Sequence, residues 1–171
     1  MQEIRALIRN IPDFPKPGII FKDLTPLMRD SAALLNVTKA LCKPFLDSGV
    51  SVVAGMEARG FIFGTLVARE MNIGFVPLRK PGKLPAETHS VSYSLEYGDA
   101  SLEMHTDAVS PSDNVLLVDD LIATGGTAAA SLELIARAGA DAVACAFVVE
   151  LDFLDGRQAL GDCPTHSLIQ Y

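Results

Sequence analysis

Asp119 and Asp120 stand side by side at the end of an apolar run, Asn114-Val115-Leu116-Leu117-Val118, and just ahead of Leu121-Ile122-Ala123-Thr124-Gly125-Gly126-Thr127. The run has the length and composition of a short buried strand. Residues 128–138 are rich in Ala, Leu and Glu and read as a helix. Two carboxylates therefore sit at the carboxyl end of a strand, followed by a small, hydroxyl-bearing turn that opens a helix. Backbone N–H groups at a helix start lack partners and favour a phosphate. Gly125 and Gly126 let backbone approach closely, and Thr124 and Thr127 add hydroxyl donors. The acid pair cannot face that same phosphate. It suits sugar hydroxyls, or a cation riding on a polyphosphate. A ligand with a ribose, a phosphate and a magnesium-bound diphosphate meets all these demands. The stretch is neither a Walker A loop, lacking Gly-Lys-Ser/Thr, nor a three-glycine dinucleotide fingerprint.

The bulk of the chain is consistent with a small-molecule enzyme. Its 171 residues suit one domain with a full core, and 49% hydrophobic against 20% charged residues is ordinary for a globular protein. Fourteen basic against twenty-one acidic residues give a net charge of −7, which argues against nucleic-acid or anionic-membrane partners. No segment approaches membrane-span length, and the first residues lack a signal peptide's apolar stretch. Cys42, Cys145 and Cys163 are odd in number and far apart, as expected in a reducing cytoplasm. His89, His105 and His166 lack zinc-ligand spacing, so no protein-held metal is expected.

The elements that must position the acid pair follow from periodicity. Residues 2–10 predict a short helix, and 11–26, with four prolines and one glycine, an irregular pinned segment. Asp30 or Ser31 can cap a helix toward residue 48, with Pro44 forcing a kink or restart. Residues 50–54 predict a buried strand, 55–60 a loop, 61–71 a helix and 73–78 the next strand. The stretch 79–88 is basic and broken by two prolines and a glycine, so it predicts a loop. Residues 91–95 and 100–104 alternate around Tyr97-Gly98-Asp99 as a hairpin. A further apolar strand is expected at 142–151. Strands alternating with helices imply a parallel sheet covered on both faces, with ligands beyond the carboxyl ends of its strands. The loops after residues 54, 78 and 118 meet there.

The acid-pair stretch closely resembles the phosphoribosyl-diphosphate (PRPP) signature of type I phosphoribosyltransferases. Phe14-Pro15-Lys16-Pro17-Gly18-Ile19-Ile20-Phe21-Lys22-Asp23, Ala58-Arg59-Gly60-Phe61-Ile62-Phe63-Gly64, Arg79-Lys80-Pro81-Gly82-Lys83-Leu84-Pro85 and Tyr93-Ser94-Leu95-Glu96-Tyr97-Gly98 extend the resemblance, over nearly the whole chain, to the adenine-specific phosphoribosyltransferases. The resemblance implies an α/β fold of the type I phosphoribosyltransferase kind, a mostly parallel sheet with helices on both faces. It implies one domain over 1–171, with an N-terminal base-binding hood at 1–28 and a flexible hairpin loop at 80–105. It also implies transfer of the phosphoribosyl group of PRPP to adenine, giving AMP and diphosphate in purine salvage. Magnesium would be held mainly by substrate and water, and the chain would pair as a homodimer through the 61–71 helix and the 79–83 region.

Carried onto this chain, the resemblance gives Asp119 and Asp120 the ribose hydroxyls and Ala123, Thr124, Gly125, Gly126 and Thr127 the 5′-phosphate. Glu57, Ala58 and Arg59 form a diphosphate loop with a non-proline cis peptide at Glu57–Ala58, and Arg59 meets the leaving oxyanion. Arg79, Lys80 and Lys83 crowd three positive charges into five residues of an acidic protein, as a lid over diphosphate would. Phe21 and Leu121 sandwich adenine, while backbone groups of Ile20 and Lys22 read its amino edge. Three positions depart from common family residues: Ala58 replaces a frequent serine, Pro81 a basic residue, Lys22 an arginine. Ala123 stands where hypoxanthine–guanine relatives carry an aspartate that bonds purine N7, so Glu96 becomes the candidate acid–base group for the purine. Two alternatives stay open at this stage: a PRPP- or nucleotide-sensing regulator of the same fold, and an enzyme for another purine.

Overall fold

The computed structural model describes residues 1–95 and 98–171. In chain order its elements are α1 (Gln2–Ala6), β1 (Arg9–Pro12), β2 (Ile20–Asp23), α2 (Thr25–Arg29), α3 (Ser31–Cys42), β3 (Val52–Met56), α4 (Arg59–Met71), β4 (Gly74–Leu78), β5 (Thr88–Leu95), β6 (Gly98–His105), β7 (Asn114–Ile122), α5 (Gly126–Arg137), β8 (Asp141–Glu150) and β9 (Thr165–Gln170). Short 3₁₀ turns cover Lys43–Phe45, Asp152–Leu154 and Gly156–Leu160. Among the described residues, five strands form one sheet in the order β4-β3-β7-β8-β9, and every adjacent pair is parallel.

The apolar run that precedes the acid pair is the sheet's central strand because both its faces bury. Val115 and Leu117 join one cluster with Met56, Leu134, Ile135 and Phe147, while Leu116 and Val118 join the other with Val53, Phe63, Val67 and Val148. Alternation with period two thus supplies two cores from one strand. Helix α5 and the β5–β6 hairpin cover the first face; α3 and α4 cover the second. Phe63 and Val67 are both fully buried, and each such side chain contributes about 1.5–3 kcal/mol. That burial fixes α4, and with it the position of Arg59 at its first turn.

Several expectations on local structure are met. Asp30 caps α3, its Oδ1 accepting from the Ala32 and Ala33 amides at 3.0 and 2.9 Å. Pro44 lies in the 3₁₀ turn that follows α3, a restart rather than a continued helix. The β5–β6 hairpin is present, but Gly98 and Asp99, expected in its turn, pair with Leu95 and Ser94 inside the ladder, and Tyr97 lies outside the described residues. Other readings need correction. The first helix stops at Ala6, because Arg9 to Pro12 pair antiparallel with Ile20 to Asp23 instead. The segment 11–26 is therefore half-ordered into a two-stranded ladder, and residues 25–29 form a short helix. Strand β7 continues through the acid pair to Ile122, since Asp119 and Leu121 still pair with Phe147 and Val149 of β8. The sequence reading made no assignment for 165–170, which form the edge strand β9. Among the described residues no helix is long and apolar enough to cross a membrane.

Candidate active site

Beyond β7 the chain turns through residues 123–127 into α5. Gly125 takes a left-handed φ of +82°, and a Cβ there would overlap the Gly156 carbonyl and the Ala159 Cβ. A Cβ on Gly156 would in turn overlap the Ala123 carbonyl. Two backbone segments therefore touch with no side chain between them, and the Gly156–Leu160 turn backs the loop. The loop curls around a pocket of about 110 Å³ whose walls include Asp119, Leu121 and residues 123–127. Gly125, at the N-cap of α5, offers no side-chain cap, so the helix-start amides stay available to an anion.

Asp119 Oδ1 accepts from the Asp120 amide at 2.8 Å, and a Cβ on Gly60 would come within 2.8 Å of that oxygen. The glycine at the start of α4 is thus what lets the helix approach the acid pair. Asp120 is only 3% exposed. Arg59 Nε lies 2.6 Å from its Oδ2 as an ion pair, yet no donor is aligned for a hydrogen bond on that oxygen. Burial pushes the Asp119 carboxyl well above its ordinary pKa, and the neighbouring Asp120 charge pushes it further. Burial raises Asp120 too, with the Arg59 guanidinium pulling it back.

Glu57, Ala58 and Arg59 line a second pocket of about 280 Å³ together with Asp119 and Asp120. The Glu57–Ala58 peptide is cis, as expected. Glu57 Oε2 accepts from the Lys80 amide at 3.0 Å and from Arg79 Nε at 3.2 Å. The Lys80 amide first, and Arg79 after it, hold the Glu57 carboxyl below its usual range. Arg79 also donates from Nη1 to the Lys83 carbonyl at 2.9 Å. Lys80 lines a neighbouring cavity of about 520 Å³ with Glu57, Tyr93 and Thr127. Lys83 is exposed and is tied to this group through its carbonyl.

The β1–β2 ladder reaches Arg59 through Phe21. The Arg59 guanidinium carbon sits 5.3 Å from the Phe21 ring centroid, and Phe14 packs edge-on against Phe21 at 5.2 Å. Ile20 is exposed beside it. The Lys22 ammonium donates to Asn10 Oδ1 at 2.8 Å and lies 3.7 Å from the Tyr171 ring centroid. Its side chain is thus occupied. Leu121 is half-buried at the wall of the pocket of residues 123–127. Glu96 lies outside the described residues. Two residues at this pocket carry no signal in the sequence: Gly156, behind residues 123–127, and Tyr93, whose hydroxyl is 3.2 Å from Thr127 Oγ1. Nothing in the residue order pairs Tyr93 with a partner 34 positions away.

Among the described residues no three His, Cys, Asp or Glu side chains converge to hold a metal ion. The acid pair, with its buried Asp120 oxygen short of a hydrogen bond, could lend an oxygen or two to a cation brought by a ligand. Magnesium suits that arrangement because it keeps several waters and takes phosphate oxygens readily.

A phosphoribosyl transferase domain model matches residues 30–160. The adenine phosphoribosyltransferase of Nitrosococcus oceani is 60% identical over 171 residues, covering 100% of both chains. The crystal structure of adenine phosphoribosyltransferase from Thermoanaerobacter pseudethanolicus superposes with a TM-score of 0.96 at 49% identity, over 99% of each chain. That of the Saccharomyces cerevisiae enzyme, complexed with an imino-altritol bisphosphate and adenine, gives 0.92 at 40% identity, over 98% of this chain and 97% of that one.

Proposed function

Because the chain belongs to the phosphoribosyl transferase family, on its adenine-specific branch, we propose that its cleft transfers the 5-phosphoribosyl group of PRPP to adenine, giving AMP and diphosphate. The observation that carries this reading is the wall two pockets share. Asp119 lines both the pocket of residues 123–127 and that of Glu57, Ala58 and Arg59, and the Arg59 guanidinium carbon lies 5.3 Å from the Phe21 ring centroid, a sequence of groups that suits a phosphate, a ribose, a diphosphate and a base. The test is turnover of PRPP with adenine, hypoxanthine, guanine or xanthine, reading diphosphate and nucleotide. Adenine is the expected substrate, since a site built for an amino edge leaves buried donors and acceptors mispaired against an oxo group. Comparable turnover with hypoxanthine would overturn the base assignment.

The residues act by position and charge. The amides and hydroxyls of residues 123–127 take the 5′-phosphate. Asp119 and Asp120 accept from the ribose hydroxyls, and their charge favours an anomeric carbon that becomes positive as diphosphate departs. Arg59 engages Asp120 through Nε, so its terminal nitrogens are the ones a diphosphate oxygen would take, in the fork geometry guanidinium suits. Glu57 holds the Lys80 amide and the Arg79 side chain at the rim of the same pocket, which makes it a positioning residue for those cations. Phe21 faces the base from one side and Leu121 from the other, with Ile20 and Lys22 reading its edge through their backbones. Held this way, adenine N9 meets the sugar carbon opposite the leaving group while water is kept out. Glu96 handles the purine proton or its N7 edge.

Asp119 and Asp120 would offer oxygens to a magnesium ion brought with PRPP, which would supply positive charge to neutralise diphosphate. The enzyme acts as a homodimer in the cytoplasm, with α4 and residues 79–83 near the shared surface. The exposed Ile62 on α4 supports that face, and the free thiols of Cys42, Cys145 and Cys163 support a reducing compartment. Light scattering that found an active monomer would remove the dimer. Residues 1–28 serve as the base hood and 80–105 as the loop that closes over the site.

A further inference from the structure

We propose that Tyr93 is a positioning residue for the 5′-phosphate: its hydroxyl donates to Thr127 Oγ1 and so commits the threonine proton to the phosphate. This rests on the reading of residues 123–127 as the phosphate loop. Thr127 has one hydroxyl proton and two lone pairs. Left to itself, it can spend that proton on any nearby acceptor and greet a phosphate oxygen with a lone pair, which repels. A donor held against its oxygen removes that choice. The Tyr93 hydroxyl lies 3.2 Å from Thr127 Oγ1, and either group can donate. A phosphate dianion at Thr127 breaks the symmetry, because the anion takes the threonine proton and leaves the threonine oxygen to accept from Tyr93. Chains of this kind strengthen each member.

The placement of Tyr93 makes the contact more than incidental. It stands on β5, in the hairpin, whereas Thr127 belongs to the first turn of α5. Its ring packs against the core cluster on that face of the sheet, so the hydroxyl is aimed by a buried body. Arg137, near the other end of α5, donates to the Ser90 carbonyl of the same strand at 2.8 Å, so the hairpin and helix are aligned at two points. Between the hairpin and the loop lies the 520 Å³ cavity that Lys80 and Glu57 border. Tyr93 thus ties the hairpin to Thr127 and lines, with Glu57 and Lys80, the cavity beside it.

The experiment is a double-mutant cycle on the full-length protein with Tyr93→Phe and Thr127→Val. Both substitutions keep shape, and the thermal midpoint of each variant is recorded to separate folding from function. Tyr93→Phe is expected to raise KM for PRPP roughly three- to twelve-fold, the worth of one hydrogen bond, while KM for adenine moves by less than about two-fold. In the Thr127→Val background the same change should have no further effect on PRPP. Equal rises in both KM values, an unchanged KM for PRPP, or a full Tyr93→Phe penalty without the threonine hydroxyl would each overturn the proposal. If Thr127→Val alone leaves KM for PRPP untouched, the phosphate-loop reading itself falls, and the two failures are told apart.

Discussion

Replacing Asp119 by asparagine removes a charge and keeps the shape. The amide oxygen can still accept from the Asp120 N–H, now 2.8 Å from Asp119 Oδ1. What disappears is a carboxylate whose pKa is raised by burial first and by the Asp120 charge second. A carboxyl with a raised folded-state pKa lowers stability as pH climbs from its ordinary value of 3.8 through the raised one, and the loss is complete above that. The protein bears part of that loss at any pH above 3.8, and a growing part as pH rises toward the raised value. Relief of one unfavourable feature of this kind commonly contributes about 0.5–2 kcal/mol. For a chain of this length each kcal/mol moves the melting temperature by about 2–4 °C. Asp119→Asn should therefore melt about 1–8 °C higher at neutral pH, while kcat/KM falls about 10²–10³-fold because the sugar loses a fixed negative charge. Differential scanning calorimetry with and without PRPP, repeated in acid, reads both effects. The thermal gain should shrink toward zero as pH falls well below the ordinary 3.8, where the wild-type carboxyl is protonated folded or unfolded. A lower melting temperature at neutral pH, or a gain that persists in acid, would refute the account of a strained, electrostatically loaded acid pair.

Glu150 provides the opposite sign. Arg157 hydrogen bonds depress its pKa to about 2, so its contribution is complete above the ordinary 4.5 and drains away as pH falls toward about 2. Acid titration of Glu150→Gln should accordingly show a shallower loss of stability across that window, and an unaltered slope would contradict it. Gly156→Ala presses a methyl against the Ala123 carbonyl; it should raise KM for PRPP by at least about tenfold and leave adenine binding near wild type, and a normal KM for PRPP would mean the turn does not shape the loop. Glu96→Gln keeps size but removes basicity, so single-turnover rates should fall by at least about tenfold with PRPP binding preserved; wild-type turnover would make Glu96 a bystander.

What the residue order revealed and what it concealed follow from physics. The acid pair, its strand and the small turn after it were legible because hydrophobic run, carboxylates and glycines sit next to one another in sequence. The Asp30 cap was legible for the same local reason. The β1–β2 ladder was not, since four-residue strands flanked by prolines carry little periodicity and owe their existence to each other across residues 13–19. Nor was the full extent of β7, because two aspartates look like a strand's end until β8 is there to continue the pairing. Gly156 and Tyr93 were invisible for a deeper reason. Their roles lie in contacts with Ala123, Gly125 and Thr127, and a close backbone approach or a hydroxyl pair leaves no mark on composition.

Arg59 faces two ways, with the Asp120 carboxylate 2.6 Å from its Nε and the Phe21 ring 5.3 Å from its guanidinium carbon. The guanidinium is thus held through Nε, with its terminal nitrogens left for a ligand oxygen. A lone anion such as inorganic phosphate can meet those nitrogens but brings no proton to the buried Asp120 oxygen that lacks an aligned donor. A molecule that brings a hydroxyl to Asp120 and an anion to Arg59 satisfies both at once. In a cell crowded with phosphate, sulfate and simple organic acids, that pairing of needs favours ligands that present a polyol and a polyanion together, before any base is read.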